Sequence, residues 1–250
     1  MTIEKLKRSL RHPDPPQLWY QLNEIVEDRT YLKHGVQVQS GDTVLDVGAN
    51  VGVAAAFFAE ECGAGRVHSF EPVRPIFAVL RSNLRPFPAC VPHHYGLGSK
   101  SGRASITYYP NDWAVSGLYA DPDAERATVR QAMHNLGMPE GEAEDRLRDR
   151  FDTETLDCEL KTLSDALEAE AIERVDLLKI DVERAELDVL AGIDDADWLR
   201  IRQLAMELHL EPRQRDEIET TIRDRGFTVT VAEDPAMAGT PIRMLYAVRD

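Results

Sequence analysis

Downstream of residue 42, apolar positions fall into short β-branched blocks that alternate with longer stretches in which they return every third or fourth residue. The short blocks predict strands near 43–47, 66–70, 90–94, 175–180, 203–208, 227–232 and 242–248. The longer stretches predict helices near 51–61, 74–84, 162–170, 186–191 and 212–225. Thr162 or Ser164 can cap one of these, and Pro212 and Gly226 bracket the last. Strand alternating with helix implies a parallel sheet covered on both faces. The last two strands, joined by Asp-Pro-Ala-Met-Ala-Gly-Thr-Pro at 234–241, predict a terminal antiparallel hairpin. The expected class is therefore α/β, a doubly wound, seven-stranded, mostly parallel sheet.

Two segments lie outside this alternation. Residues 1–42 hold a proline-rich stretch (Pro13 to Pro16), a helix-like run from Leu18 to Val26, and Tyr31-Leu-Lys-His-Gly35; they are expected to form a helical extension or lid. Residues 43–250 then form the main domain, with an insert at about 109–152. That insert opens with an aromatic-rich loop containing Trp113, Ser116 and Tyr119 and continues as a charged helical stretch. Long connections of this kind serve as lids and substrate readers. The loop at 113–119, together with Tyr31, is expected to contact an acceptor; 122–150 fits either a lid or a solvated arm or oligomer contact.

Composition narrows the class. A hydrophobic content of 43% is enough to fill a core, and no apolar run approaches the ~20 residues that span a bilayer. The start is charged and lacks an apolar h-region, so a cytoplasmic location is expected. Cys62, Cys90 and Cys158 fit no metal or disulfide spacing. Acidic residues number 44 against 29 basic, a net charge of −15, which disfavours nucleic acid and anionic membranes as partners. A homodimer remains open.

The chemistry concentrates at Thr43-Val-Leu-Asp-Val-Gly-Ala-Asn-Val-Gly52. An apolar strand breaks at Gly48, and Gly52 opens a strong helix former, so a ligand can approach backbone at the carboxyl end of a strand. Glu71 ends the next apolar run, where a carboxylate can accept from both hydroxyls of a ribose. A dinucleotide would want a third glycine and no carboxylate at Asp46; S-adenosylmethionine tolerates both departures. The turn resembles motif I of class I methyltransferases, with Asp46, Gly48, Asn50 and Gly52 at its marked positions. In that reading Asp46 orients the cofactor amine directly or through water, Glu71 and Pro72 hold the ribose end, and Gly96-Leu97 meet the adenine.

A second constellation follows. Asp181 and Glu183 emerge from the end of an apolar strand, and Glu207 and His209 from the end of the next. These four are expected to converge with the glycine turn, because ligands sit at that edge of an open α/β sheet.

With these motifs in hand, the chain resembles the FkbM family of S-adenosylmethionine-dependent methyltransferases. The resemblance rests on D-V-G-A-N-V-G at the turn, S-F-E-P at 69–72, L-L-K-I-D-V-E-x-A-E at 177–186 and E-L-H at 207–209, and covers roughly residues 18–248. It implies a Rossmann-like sheet and O-methylation of a hydroxyl on a small natural product or sugar; the Tyr31-Leu-Lys-His-Gly35 and Ser116-Gly-Leu-Tyr119 segments resemble members from polyketide and nonribosomal-peptide pathways, which leaves open an acceptor presented on a carrier protein. Some relatives methylate carboxylates. The family usually carries glycine where this chain has Arg184; if that position has positive φ, arginine costs strain there.

Methyl transfer to a hydroxyl needs a base, and His209 is the candidate by residue type. Asp181 and Glu183 are expected to hold the cofactor amine or orient that base. Asp181 and Glu207 could instead bind Mg²⁺, although the spacing does not require a metal. Two rivals stand beside this reading: a nicotinamide-dependent oxidoreductase, and a non-catalytic cofactor-fold partner protein.

Overall fold

The computed structural model describes residues 3–249. Ten strands run in chain order: β1 (Thr43–Val47), β2 (Arg66–Phe70), β3 (Cys90–His93), β4 (Gly96–Leu97), β5 (Gly102–Tyr108), β6 (Glu154–Lys161), β7 (Leu177–Ile180), β8 (Gln203–Leu208), β9 (Thr228–Ala232) and β10 (Arg243–Val248). Seven of them form the main sheet in the order β3-β2-β1-β7-β8-β10-β9, and β10 alone runs in the direction opposite to the other six. The α/β class and all seven expected sheet strands are present.

Strand period divides the core in two. Val44, Val67, Leu177 and Tyr246 face one side, while Leu45, Phe70, Leu178 and Leu245 face the other. The first face is covered by α1 (Ile3–Ser9), α2 (Pro15–Leu22), α3 (Val53–Glu60) and α4 (Arg74–Leu84). Leu6, Leu10, Leu18, Leu22 and Ile25 are buried in that same core, so the segment before β1 packs on the sheet. A π-helical turn, Asn23–Glu27, ends α2.

The insert is a helical hairpin of α5 (Pro122–Asn135) and α6 (Glu140–Leu147), with its own small core of Met133, Ala143 and Leu147. The second face of the sheet is covered by α7 (Leu163–Ala169), α8 (Glu186–Ala191) and α9 (Pro212–Asp224). Thr162 caps α7 by accepting from the Asp165 N–H at 3.0 Å.

The sequence reading contains no second sheet, yet β4, β6 and β5 form one. Its antiparallel pair, β5 with β6, flanks the insert on both sides in sequence. The segment expected as a loop at Gly96-Leu97 is the short strand β4, paired in parallel with β6.

The chain winds outward in both directions from the β1–β7 pair. That makes a topological switch point, where the carboxyl ends of neighbouring strands open a crevice.

Candidate active site

The crevice is one continuous cavity of about 1020 Å³. Its floor begins at the glycine turn. Gly48 has φ +76°, and a Cβ there would lie 1.7 Å from the carbonyl oxygen of Asp181, so no other residue fits without moving the β7 end. Lys179, almost fully buried, secures the turn from below: its Nζ donates to the Gly48 oxygen at 2.8 Å and lies 3.1 Å from Asp46 Oδ1.

Asp46 itself is wholly buried and does not line the cavity. The expected direct contact between Asp46 and a cofactor amine is therefore corrected: its carboxylate faces Lys179, beneath the turn. Gly52 is likewise removed from the lining. With φ +91°, its Cβ would meet Leu80 Cδ1 at 2.8 Å, so glycine is needed there for packing of α3 against α4.

Gly48, Ala49, Asn50, Glu71, Pro72, Gly96 and Leu97 do line the cavity. Glu71 is fixed by two backbone donors, Val73 N–H to Oε1 at 2.8 Å and Asn50 N–H to Oε2 at 3.1 Å. Each oxygen keeps a second lone pair, which matches two ribose hydroxyls. Burial pushes the carboxyl up to about 8, with those two hydrogen bonds pulling the other way.

Asp181, Glu183, Glu207 and His209 reach the same cavity from the ends of β7 and β8. The Tyr31 hydroxyl donates to Asp181 Oδ2 at 2.8 Å, bringing the N-terminal segment into the site. His209 Nδ1 lies 2.8 Å from Glu186 Oε1, while Nε2 lies 3.3 Å from Glu183 Oε2 and 3.4 Å from Glu207 Oε1. Burial alone would lower the imidazole pKa. The surrounding carboxylates Glu183, Glu186 and Glu207 outweigh it and hold it well above the usual histidine value. Burial also pushes Glu183 well up, against the pull of His209, and raises Glu207, with Asp181 adding to the shift. Glu24 on the π-helical turn faces the same group and is raised by burial, then by Glu207 and Asp181.

The acceptor half is walled by the insert. Trp113 and Ser116 line it, and Ser116 Oγ accepts from the Tyr109 N–H at 3.2 Å. Thr128, Val129, Ala132 and Met133 of α5 and Leu136 just beyond it form a largely apolar wall, joined by Met237 and Ile242 from the β9–β10 connection. Asn135 Nδ2 donates to the Ala236 and Ala238 carbonyls, closing α5 onto that connection. Tyr119 is corrected: it is 54% exposed, does not line the cavity, and donates to Asp188 Oδ2 at 2.5 Å.

Lys179, Glu186, Glu24 and Glu125 are absent from the sequence reading. A lysine inside an apolar strand and a glutamate at the start of the helix that follows it are detectable signals; Glu24 and Glu125 lie on helices that nothing in the sequence ties to the site.

Asp181, Glu207 and His209 can each offer one ligand atom, all within 4.8 Å of one another. The set fits Mg²⁺ poorly, because that ion takes oxygen ligands and one of the three donors is an imidazole. His68, His93 and Glu170 also bring one ligand atom each within 4.8 Å of one another; there His68 Nδ1 lies 3.0 Å from His93 Nε2, so the two imidazoles are within hydrogen-bond distance of each other.

A sheet of this order, with a cavity at its switch point beside a glycine turn and a strand-end glutamate, defines a Rossmann-like methyltransferase. The Methyltransferase FkbM domain matches residues 46–229, and the chain belongs to the FkbM methyltransferase family. It is 36% identical over 243 residues to the 31-O-demethyl-FK506 methyltransferase FkbM of Streptomyces tacrolimicus, covering 96% of this chain and 94% of that protein. It is 30% identical over 219 residues to methyltransferase sdnD of Sordaria araneosa, covering 83% and 81%. The crystal structure of Methyltransferase FkbM from Methylobacillus flagellatus KT shares the fold at a TM-score of 0.53 and 16% identity, over 98% of this chain. This chain spans 57% of that one. Among the described residues no helix is long and apolar enough to cross a membrane.

Proposed function

We propose that this protein is an S-adenosylmethionine-dependent O-methyltransferase acting on a hydroxyl of a small, largely apolar acceptor. One observation carries the reading: a single cavity joins the Gly48–Glu71 end to the His209 cluster and is roofed by α5. The residues fit the cofactor. Glu71 offers two free lone pairs to a ribose, Gly96 and Leu97 flank the adenine position, and the carboxylate of Asp181 faces the cationic end. S-adenosylmethionine, when bound, supplies an electrophilic methyl group on a sulfonium sulfur.

The chain's own residues handle the acceptor and its proton. Glu186 fixes the His209 ring through Nδ1, leaving Nε2 toward the cavity. In its neutral form Nε2 can take the proton of an acceptor hydroxyl, and Glu183 and Glu207 would stabilise the imidazolium that results. The segment through residue 42 and the insert act as the acceptor-side cover, with Tyr31, Trp113 and Ser116 in contact with the acceptor.

Glu24, Asp181, Glu183 and Glu207 make this end acidic. Arg146, Arg148 and Arg150 line the cavity too, but they pair with Glu142, Asp145 and Asp112. A neutral hydroxyl is therefore favoured over an acceptor carboxylate. The name of the Streptomyces relative, which records a missing O-methyl group, agrees with oxygen as the target.

The test is incubation with methyl-labelled S-adenosylmethionine and an extract of the producing cells, with and without EDTA. Label in an alkali-stable methyl ether is the expected product. Alkali-labile label would mean ester formation, activity lost in EDTA and restored by Mg²⁺ would mean a metal route, and cofactor binding without transfer would mean a non-catalytic partner protein. The first and third refute the proposed function; the second keeps O-methylation and removes His209 as the base.

A further inference from the structure

Two consecutive residues in the turn between β7 and α8, Glu183 (φ +49°) and Arg184 (φ +72°), take left-handed backbone without being glycine. Such strain persists only where the surroundings over-determine it. Here the Arg184 backbone N–H donates to Glu186 Oε1 at 3.2 Å, the same oxygen that holds His209 Nδ1. The Arg184 side chain reaches the opposite way, and its Nε donates to Glu125 Oε1 at 2.9 Å. Glu125 sits in the first turn of α5, is 4% exposed, and lines the acceptor half of the cavity. From a third side the Gly117 backbone presses on Glu183 so closely that a Cβ there would come within 2.9 Å of the Glu183 oxygen. The turn is thus clamped between the insert and the His209 cluster.

We infer that Arg184 is a positioning residue for methyl transfer: by pairing with Glu125 it locks α5 over the acceptor and fixes the turn that presents Glu183 and Glu186 to His209. The kinetic part of this inference rests on the function proposed above; the mechanical part does not. Removing the guanidinium leaves Glu125 buried without its cation, so α5 loses its hold at that end. The same removal frees the 183–184 turn, so both carboxylates that frame His209 drift together.

The informative variant is Arg184→Gly. Glycine takes φ +72° without strain, so it relieves the backbone while removing the side chain that carries the guanidinium. An arginine with a purely structural role would be replaced with unchanged turnover. The expected result is a fall in kcat of roughly 10- to 100-fold, the range that a displacement of about 1 Å produces. Acceptor KM rises, S-adenosylmethionine affinity stays within about twofold because the cofactor end lies elsewhere, and backbone amide exchange speeds up across 122–135. Arg184→Lys restores part of kcat by keeping the charge. Glu125→Gln behaves as Arg184→Gly does, and the double variant is no worse than either single one. Wild-type kcat in Arg184→Gly overturns the inference, whether or not amide exchange has changed. If the wild-type protein shows no methyl transfer at all, the proposed function falls and the exchange measurement alone decides the clamp: faster exchange in α5 supports it, and unchanged exchange overturns it.

Discussion

Protonation of Glu71 should control cofactor affinity. Its carboxyl is pushed up to about 8 by burial, against two backbone N–H donors. Only the carboxylate can accept from both hydroxyls of a ribose, so binding requires the ionised form. The ionised fraction is about 1% at pH 6 and about half at pH 8, so the apparent Kd for S-adenosylmethionine should fall about 50-fold across that interval. The sign follows from the acid: rising pH removes a proton that competes with the ligand. The cofactor's own amine titrates near 8 and works in the opposite sense, so Glu71→Gln serves as the reference. That variant carries the cofactor's titration without the carboxyl's. At pH 8 it should bind roughly 30- to 150-fold more weakly than wild type, through loss of charge-assisted hydrogen bonds of about 2–3 kcal/mol. At pH 6 the wild-type group is mostly protonated, and the gap should close to within about fivefold. Isothermal calorimetry at both pH values measures all four affinities. A wild-type to variant ratio that stays constant from pH 6 to pH 8 would refute the assignment of Glu71 to the ribose.

Three further outcomes are expected. His209→Gln should lower kcat by roughly 10²- to 10⁴-fold, and wild-type turnover should climb with pH along a limb whose midpoint lies above 6.5, because the carboxylates keep the imidazole protonated until higher pH; a midpoint below 6.5 in a stopped-time pH series contradicts this. Trp113→Ala should raise acceptor KM while leaving cofactor affinity intact, whereas Tyr119→Phe, outside the cavity, should leave acceptor kinetics unchanged; a shared defect in steady-state assays would mean that the loop moves as a unit. Gly48→Ala should destabilise the fold by at least about 4 kcal/mol, since its Cβ falls 1.7 Å from a carbonyl oxygen at positive φ; a urea-denaturation loss under about 1 kcal/mol would show that the β7 end gives way easily.

Legibility followed burial. Strands such as Thr43–Val47 and Leu177–Ile180 are almost entirely buried, so their apolar runs announced themselves. In β5 and β6 only alternate positions are apolar, at Ala104, Ile106 and Tyr108 and at Leu156, Cys158 and Leu160. The other face is exposed, and the period-2 signal is diluted by charge. At the site, residue types at strand ends placed Asp181, Glu183, Glu207 and His209 on the cavity. For Asp46 only the direct contact is lost, because a central-strand carboxylate reads the same whether it faces ligand or a buried lysine. The partner that decides the matter, Lys179, lies 133 residues away in sequence and beside it in space. Glu24 and Glu125 came from segments whose docking onto the cavity is a tertiary fact with no local pattern.

The electrostatics of the cavity tie its two ends together. Glu24, Glu71, Glu183 and Glu207 all titrate above the ordinary carboxylate range, and burial is the first cause in each case. The cations facing them are Lys179, already committed to Asp46 and the Gly48 carbonyl, and His209. A cavity so short of positive charge holds protons in its place, and it gives them up to a ligand that brings its own. A sulfonium with an ammonium does so, and a neutral hydroxyl does not disturb the balance. An acceptor carboxylate would add a further buried anion to a site that already protonates its own. Under the proposed function, the same field favours a cationic donor and a neutral acceptor, and the choice among neutral acceptors falls to the apolar wall of α5, which Arg184 is inferred to position.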